Sequence, residues 1–170
     1  LRGRVADMIV VTRVAKDGDP GMRATLEGAL LESGRPLFVT PPEGMAGPLT
    51  SAAIAWNGSA EVARAVSQAL PLLAKAETVS VIIIEEGLRP GPSPRELIVY
   101  LARHGISAGV HDSQSNHLPT GHALLSDATA LAADFLVMGA YTHSRLRRMI
   151  MGSATEHVLG AAELPVLMIP

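Results

Sequence analysis

From Ala52 onward the apolar positions alternate between short continuous runs and longer stripes of helical period. Ala52–Trp56 (AAIAW) is a short apolar run that predicts a strand. Ser59–Ala76 follows, with Val62, Ala65, Val66, Ala69, Leu70 and Leu73 at three- and four-residue spacings that fall on one helical face. Thr78–Ile84 is rich in β-branched residues and lacks polar alternation, the pattern of a strand buried on both faces. Glu85–Pro94 is punctuated by proline and glycine and predicts a loop. Pro94–His104 predicts a helix, with Gly105 where a left-handed terminating residue is favoured. Ile106–His111 is a weaker strand, Thr120–Ala133 a helix entered through Pro119, and Phe135–Met138 a strand. Ser153–Ala162 is the last helix and Val166–Ile169 the last strand. Five strands alternating with four helices predict an α/β domain, a parallel sheet covered by helices with right-handed crossovers.

The first forty residues resemble the end of that series. Ala6-Asp-Met-Ile-Val-Val11 is similar to Ala133-Asp-Phe-Leu-Val-Met138, and Pro36-Leu-Phe-Val39 to Pro165-Val-Leu-Met168. The two offsets are 127 and 129 residues, near enough to constant to indicate an internal repeat. The chain divides accordingly into a C-terminal fragment of one repeat at 1–41, a Pro/Gly-rich linker at 42–48 and a complete domain at 49–170. A strand-helix-strand fragment cannot close a sheet alone, so it must pack on the complete domain or on another copy. With no methionine at position 1, the expectation is a tandem protein with about a hundred further residues ahead of Leu1. The apolar edges Leu37–Val39 and Val166–Ile169 are expected to pair with each other in cis, or the last strand to pair with a second subunit.

Composition narrows the possibilities. Hydrophobic residues make up 48% of the chain but aromatics only 3%, so the core is aliphatic, as α/β layers allow. A net charge of −2 gives no global reason to bind nucleic acid or an anionic membrane. No apolar run approaches bilayer length and there is no signal-peptide pattern; the absence of cysteine fits a reducing, cytoplasmic setting.

Candidate chemistry concentrates in Gly139–Ser153, GAYTHSRLRRMIMGS, a loop between strand and helix with no acidic residue. Ser153 and Glu156 have capping-box spacing for the helix that follows. A helix N-terminus presents unpaired N–H groups and a positive dipole end, and so favours an anion. Gly139 and Gly152 either admit a ligand close to the backbone or permit tight turns; Ser153 either bonds a phosphate or caps the helix. Arg145, Arg147 and Arg148 add positive charge. Across the crevice where the winding of an open sheet reverses, Asn57-Gly-Ser59 follows the first strand. Either Asn57 or Ser59 caps the next helix, or the turn contributes to a ligand site.

AWNGS after the first strand, ADFLVMGAYTHSR at the fourth, MGSATEHVL at the last helix and LPVLMIP at the end together resemble the universal stress protein family. The resemblance covers about 49–170, with the tail of a preceding copy at 1–41. It implies a five-stranded parallel sheet in order 3-2-1-4-5 and, in nucleotide-binding members, the pattern Gly-x2-Gly-x9-Gly-Ser/Thr holding ATP at the switch point. Gly139, Gly152 and Ser153 match that pattern, whereas Thr142 stands at the middle glycine and Asn57 where an acidic residue is usual. The implied nucleotide contacts are Asn57, Gly58, Ser59, Gly139, Thr142, Gly152, Ser153 and Ala154, with Mg²⁺ accompanying the ATP.

Other chemistries find little support. The spacings of His111, His117 and His122 match no zinc motif, and solvated loop histidines are the default. His143 beside Ser144 cannot form a serine-base-acid arrangement, and Trp56 is expected to pack beneath the crevice. No catalytic residue and no metal ligand is assigned; the most activity expected is slow ATP hydrolysis. Two functional classes follow: a nucleotide-binding regulatory protein, or a stress-response module acting through protein contacts with a vestigial site.

Overall fold

A computed structural model describes residues 2–13, 20–45, 47–85, 88–113, 117–140 and 153–169. After a short 3₁₀ turn at Arg2–Val5, the elements are β1 (Ile9–Thr12), α1 (Pro20–Glu32), β2 (Leu37–Thr40), β3 (Ser51–Trp56), α2 (Ala60–Leu73), β4 (Thr78–Ile83), α3 (Pro94–Arg103), β5 (Gly109–Asp112), α4 (Thr120–Ala130), β6 (Phe135–Gly139), α5 (Ser153–Ala161) and β7 (Val166–Ile169). All seven strands form one sheet in the order β1-β2-β7-β6-β3-β4-β5. Read from β5, the complete domain has the expected order 3-2-1-4-5, all parallel, and β2 and β1 extend it. The apolar edges Leu37–Val39 and Val166–Ile169 pair with each other in cis, as expected, and make the sheet continuous: β2 lies antiparallel to β7 with Phe38 opposite Leu167.

Strand alternation divides the core into two layers. Phe38, Ile54, Trp56, Val81, Phe135, Val137 and Leu167 face α2 and α3. Leu37, Val39, Ala53, Ile82, Leu136, Met138 and Met168 face the other way, towards α1, α4 and α5. Both faces being covered explains why these strands read as unbroken apolar runs. The third strand of the alternation, β5, starts later than its pattern implies, at Gly109 instead of Ile106. Ile106 is buried but precedes the ladder, its N–H bonded back to Leu101 O over the left-handed Gly105.

Two polar devices fix the strand starts and helix ends. Asp134, in the turn before β6, accepts from Thr50 N (2.9 Å), Thr50 Oγ1 (2.9 Å) and Ser51 N (2.8 Å), setting where β3 begins beside β6. Ser93 and Glu96 form a reciprocal capping box, with Pro94 at the first turn of α3. Arg13, just beyond β1, donates to the carbonyl of Gly160 near the end of α5 and ties the N-terminal unit to the rest.

Candidate functional site

The carboxyl ends of β3, β4 and β6 open into a cleft lined by Ala55, Trp56, Asn57, Ile82, Ile84, Thr120, Leu124, Met138, Gly139, Ala154 and Thr155. It lies at the switch point, since β3 continues to β4 on one side and pairs with β6 on the other. Of the residues expected to form the site, Asn57, Gly139 and Ala154 are brought together here. Thr142 and Gly152 lie outside the described residues, as do Arg145, Arg147 and Arg148; for Ser153 only its place as the first residue of α5 is described.

The turn after β3 is more committed to structure than its sequence indicates. Asn57 Oδ1 accepts from Ser59 N (3.1 Å), and Ser59 Oγ caps α2 by accepting from Val62 N (3.3 Å). Capping is therefore what Ser59 does, and it is not among the cleft-lining residues. Gly58 has a left-handed φ of +78°, and a Cβ there would lie 3.0 Å from the carbonyl oxygen of Arg89. The loop that carries Arg89 to Pro92 folds over this turn: Arg89 N donates to Asn57 O (2.8 Å) and Trp56 Nε1 to Pro92 O (3.1 Å). A side chain at Gly58 would thus meet protein, and Gly58 is not among the cleft-lining residues. Trp56 is buried in the core as expected.

Gly139 also needs reinterpretation. It lines the cleft, but an added Cβ would sit 2.7 Å from Val62 N and 2.8 Å from Glu61 Cβ. The first turn of α2, packed on the end of β6, is by itself enough to require a glycine here. The N-terminus of α2 is consequently closed by Ser59 and Gly139.

The opposite wall has a different character. Gly121, in the first turn of α4, allows a close approach to α5: a Cβ at this position would meet Ala154 O at 3.0 Å and His157 Cβ at 2.9 Å. The helix N-termini of α4 and α5 therefore stand side by side at the cleft, through Thr120, Ala154 and Thr155. Just outside, the rings of His122 and His157 stack with centroids 3.5 Å apart. Burial, with the neighbouring His122 adding to it, holds the His157 imidazole below its usual pKa. On α4, buried Asp127 lies 3.7 Å from His111 Nε2. Of the three histidines read as solvated loop positions, His117 is an exposed turn residue, whereas His111 lies in β5 and His122, also exposed, in α4; no group of three metal-ligating side chains converges among the described residues.

Thr155 was not anticipated from the sequence, nor was the buried Asp127. The signal for Asp127 was present, since it falls on the stripe Ala123, Leu124, Ala128. The apolar part of the cleft, made by Ala55, Ile82, Ile84, Leu124 and Met138, suits a flat uncharged group, and the paired helix ends suit an anionic one. Among the described residues that line it, none is a carboxylate.

Residues 117–170 match the model of the universal stress protein family. No curated protein matches the sequence. Among solved structures, the chain is similar to a universal stress protein from Archaeoglobus fulgidus, with a TM-score of 0.73 and 20% identity over 99% of this chain and 64% of that one. A functionally unknown protein from Pseudomonas aeruginosa gives 0.62 and 19%, over 96% and 62%. Another universal stress protein structure from Archaeoglobus fulgidus gives 0.53 and 17%, over 69% and 96%. The chain thus spans slightly less than two-thirds of the length of the first two, and the likeness at these identities is one of fold.

Proposed function

We propose that this chain, whose residues 117–170 match the model of the universal stress protein family, is a regulatory module that binds an adenine nucleotide, ATP, at the switch point of its sheet. One observation carries the reading: an apolar slot at the ends of β3, β4 and β6 runs up to two adjacent helix N-termini. The base lies among Ile82, Ile84, Leu124 and Met138, with Asn57 on the β3 side. The phosphates meet the N–H groups at the start of α5, where Gly152, Ser153 and Ala154 follow the basic loop. Mg²⁺ travels with the phosphates and is not held by a protein carboxylate. Binding serves regulation in a cytoplasmic setting, and any hydrolysis is slow.

The reading is tested by calorimetric titration with ATP in the presence and absence of Mg²⁺. Binding by the parent, its loss in Gly152→Val and its strengthening in Thr142→Gly are the expected results. No heat for the parent or for Thr142→Gly would overturn it.

A second reading, a module acting through protein contacts with a vestigial site, is favoured by the structural use of Gly58, Ser59 and Gly139. Retained self-association with no nucleotide affinity would select it.

We also infer a tandem architecture. The register of β1 on β2 (Val10 opposite Phe38) repeats that of β6 on β7 (Val137 opposite Leu167). Val137 is fully buried under α2, whereas its counterpart Val10 is 63% exposed. An α2-like helix and a β3-like strand from the first repeat would cover that surface. Mass determination of the protein as expressed from its own gene tests this; a mass equal to that of residues 1–170 would refute it.

A further inference from the structure

One wall of the cleft is not held by its own strand ladder. On the β6 side, the register of β3 runs from Ala52 opposite Phe135 to Ile54 opposite Val137 and stops there. Ala55, Trp56 and Asn57 continue past that point, and all three line the cleft. On the β4 side the ladder ends with Trp56 opposite Ile83, so Asn57 lies beyond both ladders. A chain end paired along one edge only opens more readily than the ladder behind it, unless something else holds it.

The loop between β4 and α3 supplies that support. Arg89 N donates to Asn57 O (2.8 Å), and Trp56 Nε1 donates to Pro92 O (3.1 Å). Between these two bonds Gly91 lies so close to Gly58 that a Cβ on Gly91 would collide with the carbonyl oxygen of Gly58. The contact is reciprocal: a Cβ on Gly58 would lie 3.0 Å from Arg89 O and 3.5 Å from Pro92 O. Two backbones remote in the chain thus interlock glycine to glycine, with a hydrogen bond on either side. Gly58 is buried beneath, whereas Arg89 to Pro92 are exposed and none of them lines the cleft. The far end of the loop is pinned by the capping box, in which Ser93 N donates to Glu96 Oε2 (2.8 Å).

We propose that Arg89–Pro92 is a strap that positions Trp56 and Asn57 as the β3 wall of the cleft, and that nucleotide in the cleft holds the strap closed. This rests on the nucleotide reading above and adds to it a positioning element and a route from the cleft to the surface. Trp56 and Asn57 belong to both sides of the coupling, since they line the cleft and bond the strap. A ligand resting on them favours the closed strap, and by linkage the closed strap favours the ligand by the same factor.

The test combines amide hydrogen exchange of the parent, with and without saturating ATP, and calorimetric titration of the parent and Gly91→Ala with ATP. Gly91 is not among the glycines with a left-handed φ, so alanine there acts through its methyl group, which forces the strap off Gly58. Gly91→Ala is expected to weaken ATP binding by about tenfold, the scale of coupling carried through packed contacts. In the parent, ATP should slow exchange of the Arg89 amide by a similar factor. The Ile106 amide, bonded to Leu101 O beyond α3, is the control and should be unaffected. Parent affinity in a folded Gly91→Ala would overturn the proposal. So would Arg89 exchange that ignores ATP, or equal slowing at Arg89 and Ile106, which marks stabilisation of the whole fold. Should Gly91→Ala fail to melt cooperatively, the exchange measurement on the parent decides alone. A folded parent that binds no ATP would instead defeat the nucleotide reading itself, and the coupling with it.

Discussion

Phe38 and Leu167 are direct cross-strand partners at the centre of the antiparallel β2–β7 pair, and they occupy the same position in two similar segments of the chain. Leu37 faces Met168 and Val39 faces Val166 on either side of them. Equivalent residues meet their own counterparts only where a two-fold relation passes between the strands. The N-terminal unit is therefore joined to the sheet through a locally symmetric contact, with Phe38 reaching into the layer under α2.

Phe38→Ala should accordingly cost about 3 kcal/mol, the usual loss for truncating a buried phenylalanine. Phe38 is only 5% exposed and packs in the same layer as Leu167 and Ile169, so little relaxation can refill its place. Urea unfolding followed by circular dichroism measures the loss. A change below about 1 kcal/mol would mean that the β2–β7 seam contributes little beyond its backbone bonds.

Gly139→Ala should destabilise the fold by about 1–3 kcal/mol, because the new methyl meets backbone atoms of the first turn of α2. Gly121→Ala should act likewise at the α4–α5 contact, but it additionally separates the two helix ends at the cleft. Thermal melting tests both. If Gly139→Ala melted with the parent yet lost nucleotide binding, the glycine would be serving a ligand after all.

Asp134→Ala leaves Thr50 N, Thr50 Oγ1 and Ser51 N without their shared acceptor, at a cost of about 1–3 kcal/mol. The same group governs part of the acid behaviour. The backbone bond from Ser51, aided by the Thr50 bonds, lowers the Asp134 carboxyl below its ordinary value of 3.8 despite partial burial. The unfolded chain then binds the proton first as pH falls. Its contribution is present above pH 3.8 and is lost as pH drops through the folded value. Urea titrations across that range should show a shallower acid-side decline in Asp134→Ala than in the parent.

The stacked histidines give a second pH dependence with a different window. His157 is held below its usual 6.5, first by burial and then by His122. The unfolded state takes up the proton near pH 6.5 while the folded state resists it, so stability falls as pH decreases from 6.5 towards the folded value. His122→Gln removes one cause and should raise the His157 pKa, read from its imidazole resonances by NMR. An unchanged titration curve would show that the two rings do not interact electrically.

The sequence by itself determined the alternation of strands and helices, because burial on both faces forces unbroken aliphatic runs and the helices keep a single apolar stripe. It also determined the likeness of the two strand-helix-strand segments and the position of the candidate cleft, since a parallel sheet with this order reverses its winding between β3 and β6. What glycines and hydroxyls do was decided only by the tertiary structure. Gly58, Gly121 and Gly139 look alike in sequence as places of close backbone approach, yet what approaches each of them is protein: the loop at Arg89, the start of α5 and the first turn of α2. Ser59 and Thr155 both stand at helix starts, but the first spends its oxygen on Val62 N whereas the second lines the cleft. Such differences depend on distances between segments remote in the chain, which local pattern and composition do not encode.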